Sequence, residues 1–517
     1  MFESPNHVRE RPFEVVIEGA PLGLAASSQA HPGVMRVLLV GTAAGVRELY
    51  GTLSAVDGAG YAVAGAVLLR EPAGVDVPCA VLGGFEDLAA LLGESKPLDV
   101  DRVLVCLPSA LRGLTREVGA TLDRLGVAWA DLPPLSDQVM GRATRVRPAA
   151  ELDLAALIDR KPRALDIDAL TELISDRVVM ITGAGGSIGS ELARIVARFG
   201  PSKLVLLERS ENALFEVHRQ LRNAPGTPKL EAVMHDVTHR QRTADLLLKI
   251  KPDVVLHAAA HKHVPMMEDH PAEAVENNLF GTRSIADAAD AAGVDRFVMI
   301  STDKAVNPSS VMGGTKRLAE MYIRDLNGRS ATRFGMVRFG NVLGSACSVL
   351  PIWSDQLKTG GPITVTHDAM TRYFMTIPEA AGLVLEAACL AEDGEVFLLD
   401  MGQPVRVRDM AERFLRLQGL EPGRDVDIQI TGPRPGEKLF EELAYDGEDM
   451  IETPHPAIRV WRTGRPDAQH MRRVVETFDR LRNGGEDASR GPWRNVKPEV
   501  VVAALRTLLP EMVLAAA

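Results

Sequence analysis

A polar cluster in the segment STDKAVNPSSVMGGTKRLAE, residues 301–320, has the side chains that proton transfer requires. Asp303 and Lys304 are neighbours in sequence, and together they offer one acid and one base. Lys316 follows in a helical pattern, with Met312 four residues before it. A thioether neither gives nor takes a proton near neutral pH, so Met312 is excluded as a proton carrier. The segment therefore predicts a site whose protons move through Asp303 and Lys304.

The flanking pattern predicts the elements that position this cluster. The run RFVMISTDK reads as a strand that ends at Thr302, Asp303 and Lys304. A helix is expected to begin near Ser309 or Ser310, after an Asn-Pro turn. In open parallel sheets, ligands bind beyond the carboxyl ends of the strands. The alternative is a salt-bridging pair on the surface at a strand end.

A glycine-rich turn supplies the second candidate site. In RVVMITGAGGSIGSELARIVARFG an apolar strand runs into the turn, and a helical pattern follows. Gly183 permits the tight turn, Gly186 lets the backbone approach a pyrophosphate, and Gly189 lets the helix pack against the strand. The start of the helix, with Ser187 and Ile188, offers unpaired N–H groups to phosphate charge. The alternative is a glycine turn that binds no ligand.

The next strand, KLVLLERS, favours NAD as the ligand of this turn. It ends at Glu208, which lies 19 positions beyond Gly189. A carboxylate there accepts a hydrogen bond from a ribose 2′-hydroxyl and repels a 2′-phosphate. Arg209 could pair with that phosphate, so NADP stays open. Further candidate cofactor contacts follow the second, third and fourth strands of this unit: Ser210, Asp236, Val237, Ala258, Ala259 and Ala260.

Bulk composition indicates an ordinary globular protein of more than one domain. The chain has 517 residues, 46% apolar and 25% charged, with a formal net charge of −11. This charge argues against a nucleic-acid or membrane-surface role. No signal peptide and no membrane-spanning stretch are expected, and the isolated cysteines are expected to be reduced, so the predicted location is the cytoplasm. The cysteines are Cys79, Cys106, Cys347 and Cys389.

The order of patterns predicts five segments. Residues 1–33 are expected to be a loosely held arm, and 34–147 a small doubly wound unit of alternating strands and helices. A charged connector, 148–176, leads to a larger unit of the same alternation over 177–450. Residues 451–517 are expected to form a C-terminal helical tail. The fold class is therefore α/β with parallel sheets.

The smaller unit has an incomplete glycine turn. The run VLLVGTAAGV offers Gly41 and Gly45, which fall short of the three-glycine pattern. A structural or regulatory role is therefore favoured over a second dinucleotide site.

Several motifs resemble those of the extended short-chain dehydrogenase/reductases, and within them the nucleotide-sugar 4,6-dehydratases of the polysaccharide-biosynthesis (CapD-like) group. The resemblance covers about residues 34–450. It is densest in TGAGGSIGSEL, AAAHKHVPMMEDHP, STDKAVNPSSVMGGTKRLAE, VRFGNVLGS, THDAMTRYFMTIPEA and GPRPGEKLFEEL. It implies a Rossmann-like doubly wound sheet preceded by a smaller, degenerate Rossmann-like domain, and a homo-oligomer such as a dimer.

Met312 bears on which branch of the family the chain resembles. Many members have Tyr-x-x-x-Lys, and Met312 takes the place of that tyrosine. The branch that uses UDP-N-acetylglucosamine carries methionine there, which implies retention at carbon 5. Members of that branch usually have an N-terminal membrane region, so this chain is expected to be a soluble version.

Dehydration of a hexose across carbons 4 and 6 assigns a role to each residue of the cluster. A base takes the carbon-5 proton and an acid helps the 6-hydroxyl to leave. Asp303 is predicted to be the acid, and Lys304 the base if its pKa is lowered toward neutrality. Thr302 is expected to hydrogen-bond the 4-hydroxyl. Lys316 is expected to hold the nicotinamide ribose, beside an apolar wall formed by Met312.

The substrate diphosphate and sugar also have candidate partners. In TGPRPGEKLFEEL, Arg434 could bind phosphate oxygens in a forked geometry and Glu437 could accept from the uridine ribose. The alternative is a structural ion pair on a loop. By resemblance, Asn341 and Arg372 face the nucleotide sugar, and Lys262 lies near the cofactor or sugar.

The histidines His257, His261 and His263 have no acidic or cysteine partners at metal-ligand spacing, so no metal is predicted. The expected function is a UDP-N-acetylglucosamine 4,6-dehydratase that uses NAD and acts on a UDP-sugar for polysaccharide or glycan synthesis. Two alternatives remain: a carbon-4 epimerase on the same fold, and a dinucleotide-sensing regulator that has lost catalysis.

Overall fold

The structure is a computed structural model. It describes the following residues: 15–16, 35–55, 58–69, 77–93, 98–108, 111–132, 154–158, 160, 164–223, 226–418, 420–443, 450–461, 464, 466–483, 493–494 and 496–513. Most of the predicted arm, 1–33, and much of the predicted connector therefore lie outside the described residues.

The described residues fall into two compact units. The first comprises those within Met1–Arg147, Ser354–Ile363 and Glu412–Ile428. The second comprises those within Pro148–Trp353, Thr364–Ala411 and Gln429–Ala517.

The first unit contains a parallel sheet with helices. Its described strands are β1 Val15–Val16, β2 Met35–Gly41, β3 Gly58–Leu68, β4 Val81–Gly84, β5 Arg102–Cys106 and β6 Trp129–Asp131. They pair in parallel in the order β1-β3-β2-β5-β6, and β4 also pairs with β3. The helices between them are α1 Ala43–Ala55, α2 Leu88–Leu92 and α3 Arg112–Arg124.

Alternation along β2 explains how this small sheet buries both faces. Val37 and Leu39 enter one apolar cluster, while Leu38 and Val40 enter the other. The glycines of its turn are required by packing, because a Cβ at Gly41 or Gly45 would come within 2.5 and 2.3 Å of the Cys106 carbonyl oxygen.

The second unit is built on a larger sheet. Its strands are β7 Val178–Thr182, β8 Lys203–Glu208, β9 Leu230–Met234, β10 Val254–His257, β11 Arg296–Ile300, β12 Arg333–Arg338, β17 Glu395–Leu399, β20 Met450–Glu452 and β21 Ile458–Trp461. Their order is β20-β21-β17-β12-β11-β10-β7-β8-β9. The strands from β17 to β9 run parallel, while β21 and β20 are added antiparallel at one edge. Because the chain winds outward from β7 in both directions, the crevice for a ligand lies at the carboxyl ends of β7 and β10.

Helices cover both faces of this sheet. They are α4 Leu154–Ile158, α5 Ile167–Ile174, α6 Ser187–Val196, α7 Glu211–Arg222, α8 Arg240–Ile250, α9 Val264–Asp269, α10 Pro271–Ala274, α11 Thr282–Ala292, α12 Val311–Asn327, α14 Ile377–Leu390, α16 Ala468–Arg482 and α17 Pro498–Leu508. A π-helical segment, Val275–Gly281, joins α10 to α11. One core cluster gathers residues of α8, α11, α12, α16 and α17, and the other gathers residues of α5, α6, α7 and α14.

Shorter elements complete the chain. They are the helices α13 Val349–Lys358 and α15 Val407–Leu417, the strands β13 Asn341–Leu343, β14 Ile363–Val365, β15 Thr371–Arg372, β16 Phe374–Thr376, β18 Val405–Arg406 and β19 Ile428–Ile430, and the 3-10 turns Phe85–Asp87, Ala197–Phe199 and Asp303–Ala305. Among the helices of the described residues, none is both long and apolar enough to cross a bilayer.

The predicted connector, 148–176, and the predicted tail, 451–517, both contribute secondary structure and buried residues to the second unit. The described part of 148–176 includes α5, whose Leu170 and Ile174 are buried in the second unit's core. The described part of 451–517 includes β21 as well as α16 and α17, and Phe478 is fully buried. The end of this segment reaches the loop before α12, since the Val513 N–H donates to the Pro308 carbonyl at 3.1 Å.

The predicted fold class is confirmed, since a doubly wound, Rossmann-like α/β sheet accompanies a smaller parallel sheet. The strands predicted at the glycine turn and before Ser301 are β7 and β11, and the predicted helix is α12, capped by Ser310 through a hydrogen bond from the Gly313 N–H.

Candidate active site

The glycine turn joins β7 to α6 with contacts that exclude larger residues. Gly183 has φ of 64°, and a Cβ there would lie 2.7 Å from the Ala259 nitrogen. A Cβ at Gly189 would lie 2.1 Å from the Gly183 carbonyl oxygen. Gly185, to which the sequence argument assigned no role, faces Ala213 of α7 at 2.5 Å by the same measure. The turn is therefore shaped by close backbone packing.

A cleft with about 570 Å³ of empty volume opens at the carboxyl ends of β7, β8 and β10. Its lining residues are Gly183, Gly186, Leu207, Glu208, Arg209, His235, Asp236, Val237, Ala258, Ala259, Ala260, His261 and Asn277. Most of the predicted cofactor residues are thus brought together. Ser187 and Ile188 form the first turn of α6, where backbone N–H groups lack helical partners. Ser210 caps α7.

The carboxylate of Glu208 is fixed by the backbone around it. It accepts hydrogen bonds from the N–H groups of Gly185, Arg209 and Ser210 at 3.2, 2.9 and 3.0 Å. The residue is thereby held at the rim of the cleft, where a ribose hydroxyl would meet it.

The Arg209 side chain reaches from β8 toward the other side of the cleft. Its guanidinium lies 3.7 Å from the Asp236 carboxylate, 3.4 Å from the Asn277 side-chain oxygen and 3.3 Å from the His261 ring. Asn277 was missed from sequence because it lies in the π-helical segment rather than after a strand, and His261 was considered only as a metal ligand.

Behind the turn, His257 and Lys316 are both buried. The His257 ring lies between the hydroxyls of Thr182 and Thr282, at 2.7 and 3.0 Å. Burial, assisted by the nearby Lys316 charge, lowers the pKa of His257 to about 3, so the ring is neutral. Burial also lowers the pKa of Lys316 to about 8, and its Nζ donates to the Ile300 carbonyl at 2.7 Å.

Asp303 and Lys304 follow β11 in a short 3-10 turn. The turn is capped by the Thr302 hydroxyl, which accepts from the Lys304 N–H and donates to Asp303 Oδ1 at 3.0 Å. Asp303 is only 1% exposed. Lys304 Nζ lies 3.0 Å from Asp303 Oδ1 and 3.3 Å from Glu441 Oε1. The alternative of a solvent-exposed surface pair does not describe this arrangement.

The electrostatics around Lys304 differ from the prediction. Burial lowers the pKa of Lys304, but the Asp303 and Glu441 carboxylates outweigh burial, so the net shift raises its pKa. The condition for the predicted base role, a lowered pKa, is therefore not met by these surroundings, and the role itself stays a prediction.

Glu441 was missed from sequence. It is 8% exposed, while the adjacent Glu442 is exposed, and a run of two glutamates does not reveal which one turns inward. Asp303 Oδ2 and Glu441 Oε2 are buried and make no hydrogen bond within the described part of the chain. Each carboxylate therefore has one oxygen without a donor among the described residues.

Arg372 has a different environment from the one expected. Its guanidinium donates to the carbonyls of Thr371, Leu439 and Lys438 at 2.7, 3.2 and 2.8 Å, and it lies 3.7 Å from Glu441. It holds the backbone that carries Glu441.

The remaining candidates, Lys262, Asn341 and Arg434, belong to the second unit. Lys262 Nζ donates to the Ala346 carbonyl at 2.9 Å, and burial lowers its pKa. The side-chain oxygen of Asn341 is buried and makes no hydrogen bond within the described residues. Arg434 is largely exposed and pairs with Glu437 at 2.6 Å, so the predicted phosphate ligand is engaged in an ion pair here.

Met312 is 3% exposed and belongs to the apolar core around α12. In the part of the chain that the structure describes, no group of three or more His, Cys, Asp or Glu side chains could hold a metal ion.

The fold and the glycine turn define a protein of the short-chain dehydrogenase/reductase class. Residues 179–463 match the family described as polysaccharide biosynthesis protein, and the chain belongs to that family. The resemblance inferred from the motifs is confirmed at this level.

Relatives with curated descriptions include the capsular polysaccharide biosynthesis protein CapD of Staphylococcus aureus, 44% identical over 71% of this chain and 61% of that protein. The EpsC protein of Bacillus subtilis is 42% identical over 78% of this chain and 66% of that protein. The chain thus spans less than two thirds of the length of either relative. A solved structure, Pen from Bacillus thuringiensis, has 33% identity and a TM-score of 0.52 over 57% of this chain and 89% of that one.

Two relatives with named activities bear on the reaction. A UDP-N-acetylglucosamine 4,6-dehydratase (inverting) of Campylobacter jejuni is 30% identical over 54% of this chain and 80% of that protein. A UDP-glucose 4-epimerase of Rickettsia canadensis is 33% identical over 54% of this chain and 80% of that protein.

Proposed function

We propose that this protein is a nucleotide-sugar 4,6-dehydratase that converts UDP-N-acetylglucosamine to a UDP-4-keto-6-deoxy-N-acetylhexosamine for polysaccharide or glycan synthesis. The observation that carries the proposal is the Asp303–Lys304 pair at the end of β11, in which Asp303 is buried and Lys304 is partly buried. Dehydration needs proton-transfer groups at carbons 5 and 6, and this pair supplies them. The dehydratase relative supports the same reaction type.

The cleft at the glycine turn fits a dinucleotide. Gly183 and Gly189 leave no room for a Cβ, and the start of α6 offers N–H groups to a pyrophosphate. The fixed carboxylate of Glu208 favours NAD over NADP. A bound nicotinamide would accept a hydride from carbon 4 and return it to carbon 6. Lys316 would hold the ribose beside it.

Proton balance fits the pair. The substrate loses protons from its 4-hydroxyl and carbon 5, and protons are gained by the departing 6-hydroxyl and, at the end, by carbon 5. For Lys304 to act as the base at carbon 5, it would first lose one proton to solvent. The 4-hydroxyl proton would then pass by way of Thr302, whose hydroxyl donates to Asp303 Oδ1 at 3.0 Å, to Asp303, which gives it to the departing 6-hydroxyl. Lys304 would take the carbon-5 proton and return it to that carbon at the end. Thr302 would hold the 4-hydroxyl.

The diphosphate and uridine are proposed to bind the segment that contains Arg434 and Glu437. In that case the Arg434–Glu437 ion pair would open as the substrate enters. Asn341, whose buried side-chain oxygen can accept a donor, and Lys262 are proposed to contact the sugar. Retention at carbon 5 is proposed by resemblance to the methionine-bearing branch.

A carbon-4 epimerase is the second candidate, and the epimerase relative supports it. That reaction moves a hydride across one ketone and gives no use to a second proton-transfer group at carbon 6. A sensor without catalysis is the third.

Incubation of the protein with UDP-N-acetylglucosamine and NAD separates these functions. A dehydratase gives a 4-keto product with alkali-dependent absorbance and a mass lower by one water. An epimerase gives an isomer of unchanged mass, and a sensor gives no product. Either of the last two results would overturn the proposal.

A further inference from the structure

We propose that Glu441 is a positioning residue that holds the Lys304 side chain in place beside Asp303, so that Asp303, Lys304 and Glu441 form one proton-handling group. The proposal goes beyond the Asp303–Lys304 pair, and its catalytic consequence rests on the proposed function.

Lys304 Nζ lies between two carboxylates, 3.0 Å from Asp303 Oδ1 and 3.3 Å from Glu441 Oε1. Asp303 lies on the same 3-10 turn as Lys304, whereas Glu441 lies 137 positions after Lys304 in the chain. An ammonium group with two acceptors on different segments is restricted to one orientation.

Glu441 is itself held in place. Arg372 of β15 donates to the carbonyls of Leu439 and Lys438, just before Glu441, and lies 3.7 Å from its carboxylate. The charged groups that face Lys304 are therefore Asp303 from its own turn, Glu441 from the segment after Lys438, and Arg372 from β15. Two of these favour the ammonium form and Arg372 opposes it.

The two carboxylates that flank Lys304 keep spare hydrogen-bonding capacity. Asp303 Oδ2 and Glu441 Oε2 are buried without a partner among the described residues, so Lys304 contacts one oxygen of each carboxylate and the other oxygen has no donor there.

The charge arrangement has a definite sign. Loss of the Glu441 charge removes one of the two groups that raise the pKa of Lys304, so Glu441→Gln lowers that pKa. The pH limb of turnover that belongs to Lys304 therefore moves to lower pH. The direction is the same whether Lys304 acts as the acid or the base, because the limb follows its pKa in both cases.

The test measures Lys304 directly, without turnover. Trace acetylation of the full-length protein at pH 9, read by mass spectrometry, reports the fraction of each lysine that is neutral. We expect Lys304 to react severalfold faster in Glu441→Gln than in the parent, because a carboxylate that favours its ammonium form is lost. The matched control, Glu442→Gln, changes the exposed neighbour and should leave the rate unchanged. Glu441→Asp keeps the charge and should restore a rate near that of the parent.

Folding is monitored in the same experiment, because Lys262 and Lys249 should react at parental rates in every variant. Equal Lys304 rates in the parent and Glu441→Gln, with Lys262 and Lys249 unchanged, would overturn the proposal. Failure of the UDP-N-acetylglucosamine assay would instead overturn the proposed function and leave the Lys304 result standing. With an active enzyme, the pH limb should shift downward in Glu441→Gln alone.

Discussion

Single residues decide how protons move in this site. The thioether of Met312 lies in the core, and the groups that titrate, Asp303 and Lys304, lie at the end of β11. Under the proposed function, position 312 takes no part in acid–base chemistry and can be filled for packing alone.

The first prediction concerns the pair. Asp303→Asn and Lys304→Met each remove one proton-transfer group while keeping roughly the same shape. We expect kcat to fall by about 10²–10⁴-fold, the usual contribution of general acid–base catalysis. Product formation from UDP-N-acetylglucosamine measures the loss. Lys249→Met, which removes an exposed positive charge on α8, serves as the control and should keep parental turnover. Full activity in both pair variants would refute the assignment.

The second prediction concerns Met312. Since it is 3% exposed in a packed core, Met312→Leu should cost less than about 1.5 kcal/mol of stability and Met312→Ala about 2–5 kcal/mol. Both variants should keep much of the turnover, because no proton passes through the side chain. Urea unfolding and steady-state kinetics measure the two effects separately. A loss of turnover in Met312→Leu as large as that in Lys304→Met would contradict this role.

At this scale, the sequence predicted residues that follow strands better than residues in loops. Asp303 and Lys304 could be selected as candidate site residues from the sequence because an apolar strand precedes them. Glu441 was not readable, because Glu441 and Glu442 are chemically identical and their burial depends on Arg372 and Lys304, which are distant in sequence.

The elements of the second unit depend on how closely β7 and α6 approach. Gly189 allows this approach, and the resulting turn places both the start of α6 and the carboxyl end of β7 at one cleft.

The third prediction separates the two uses of glycine in this turn. A Cβ in Gly189→Ala would lie 2.1 Å from the Gly183 carbonyl oxygen, so the helix must shift and both the melting temperature and NAD affinity should fall. In Gly186→Ala the nearest atom is at 3.2 Å, so the fold should persist while the methyl group obstructs the pyrophosphate. Thermal unfolding and fluorescence titration with NAD test both variants. Parental NAD affinity in Gly189→Ala would be incompatible with this account.

Alternation of patterns was sufficient to predict β7, β8, β9, β10 and β11, because buried parallel strands are short apolar runs between glycine or polar turns. The role of α5 was not predicted, since its buried face is only two to three residues wide within a charged segment. The antiparallel strands β20 and β21 were missed for a related reason. They are short strands at one side of the sheet, where β21 pairs with β17 and β20 pairs with β21, so their pairing is fixed by neighbouring strands rather than by their own pattern.

At the scale of the whole molecule, the folded unit extends past the family match. The match ends at residue 463, yet α16 and α17 contribute Phe478 and Leu505 to the core that also contains α12. The predicted homo-oligomer stays a prediction, which light scattering on the purified protein would measure.

The fourth prediction follows from this packing. Phe478 is 0% exposed, so Phe478→Ala should cost about 3–5 kcal/mol of unfolding free energy. Phe215→Ala is the matched control, because Phe215 on α7 is 66% exposed and its loss should change stability by no more than about 0.5 kcal/mol. Denaturant unfolding compares the two. Equal stabilities would mean that α16 is not part of the folded core.

The contact between Val513 and Pro308 has a practical consequence. It tethers a distant stretch of chain to the loop that precedes α12. Pro308 in that loop lies five positions after Asp303. The Val513 side chain is 73% exposed, so an environment-sensitive dye attached at Val513→Cys, in a Cys347→Ser background, would sit beside that loop without replacing any group that handles protons. The fluorescence of such a dye offers an optical record of the loop as ligands arrive and leave.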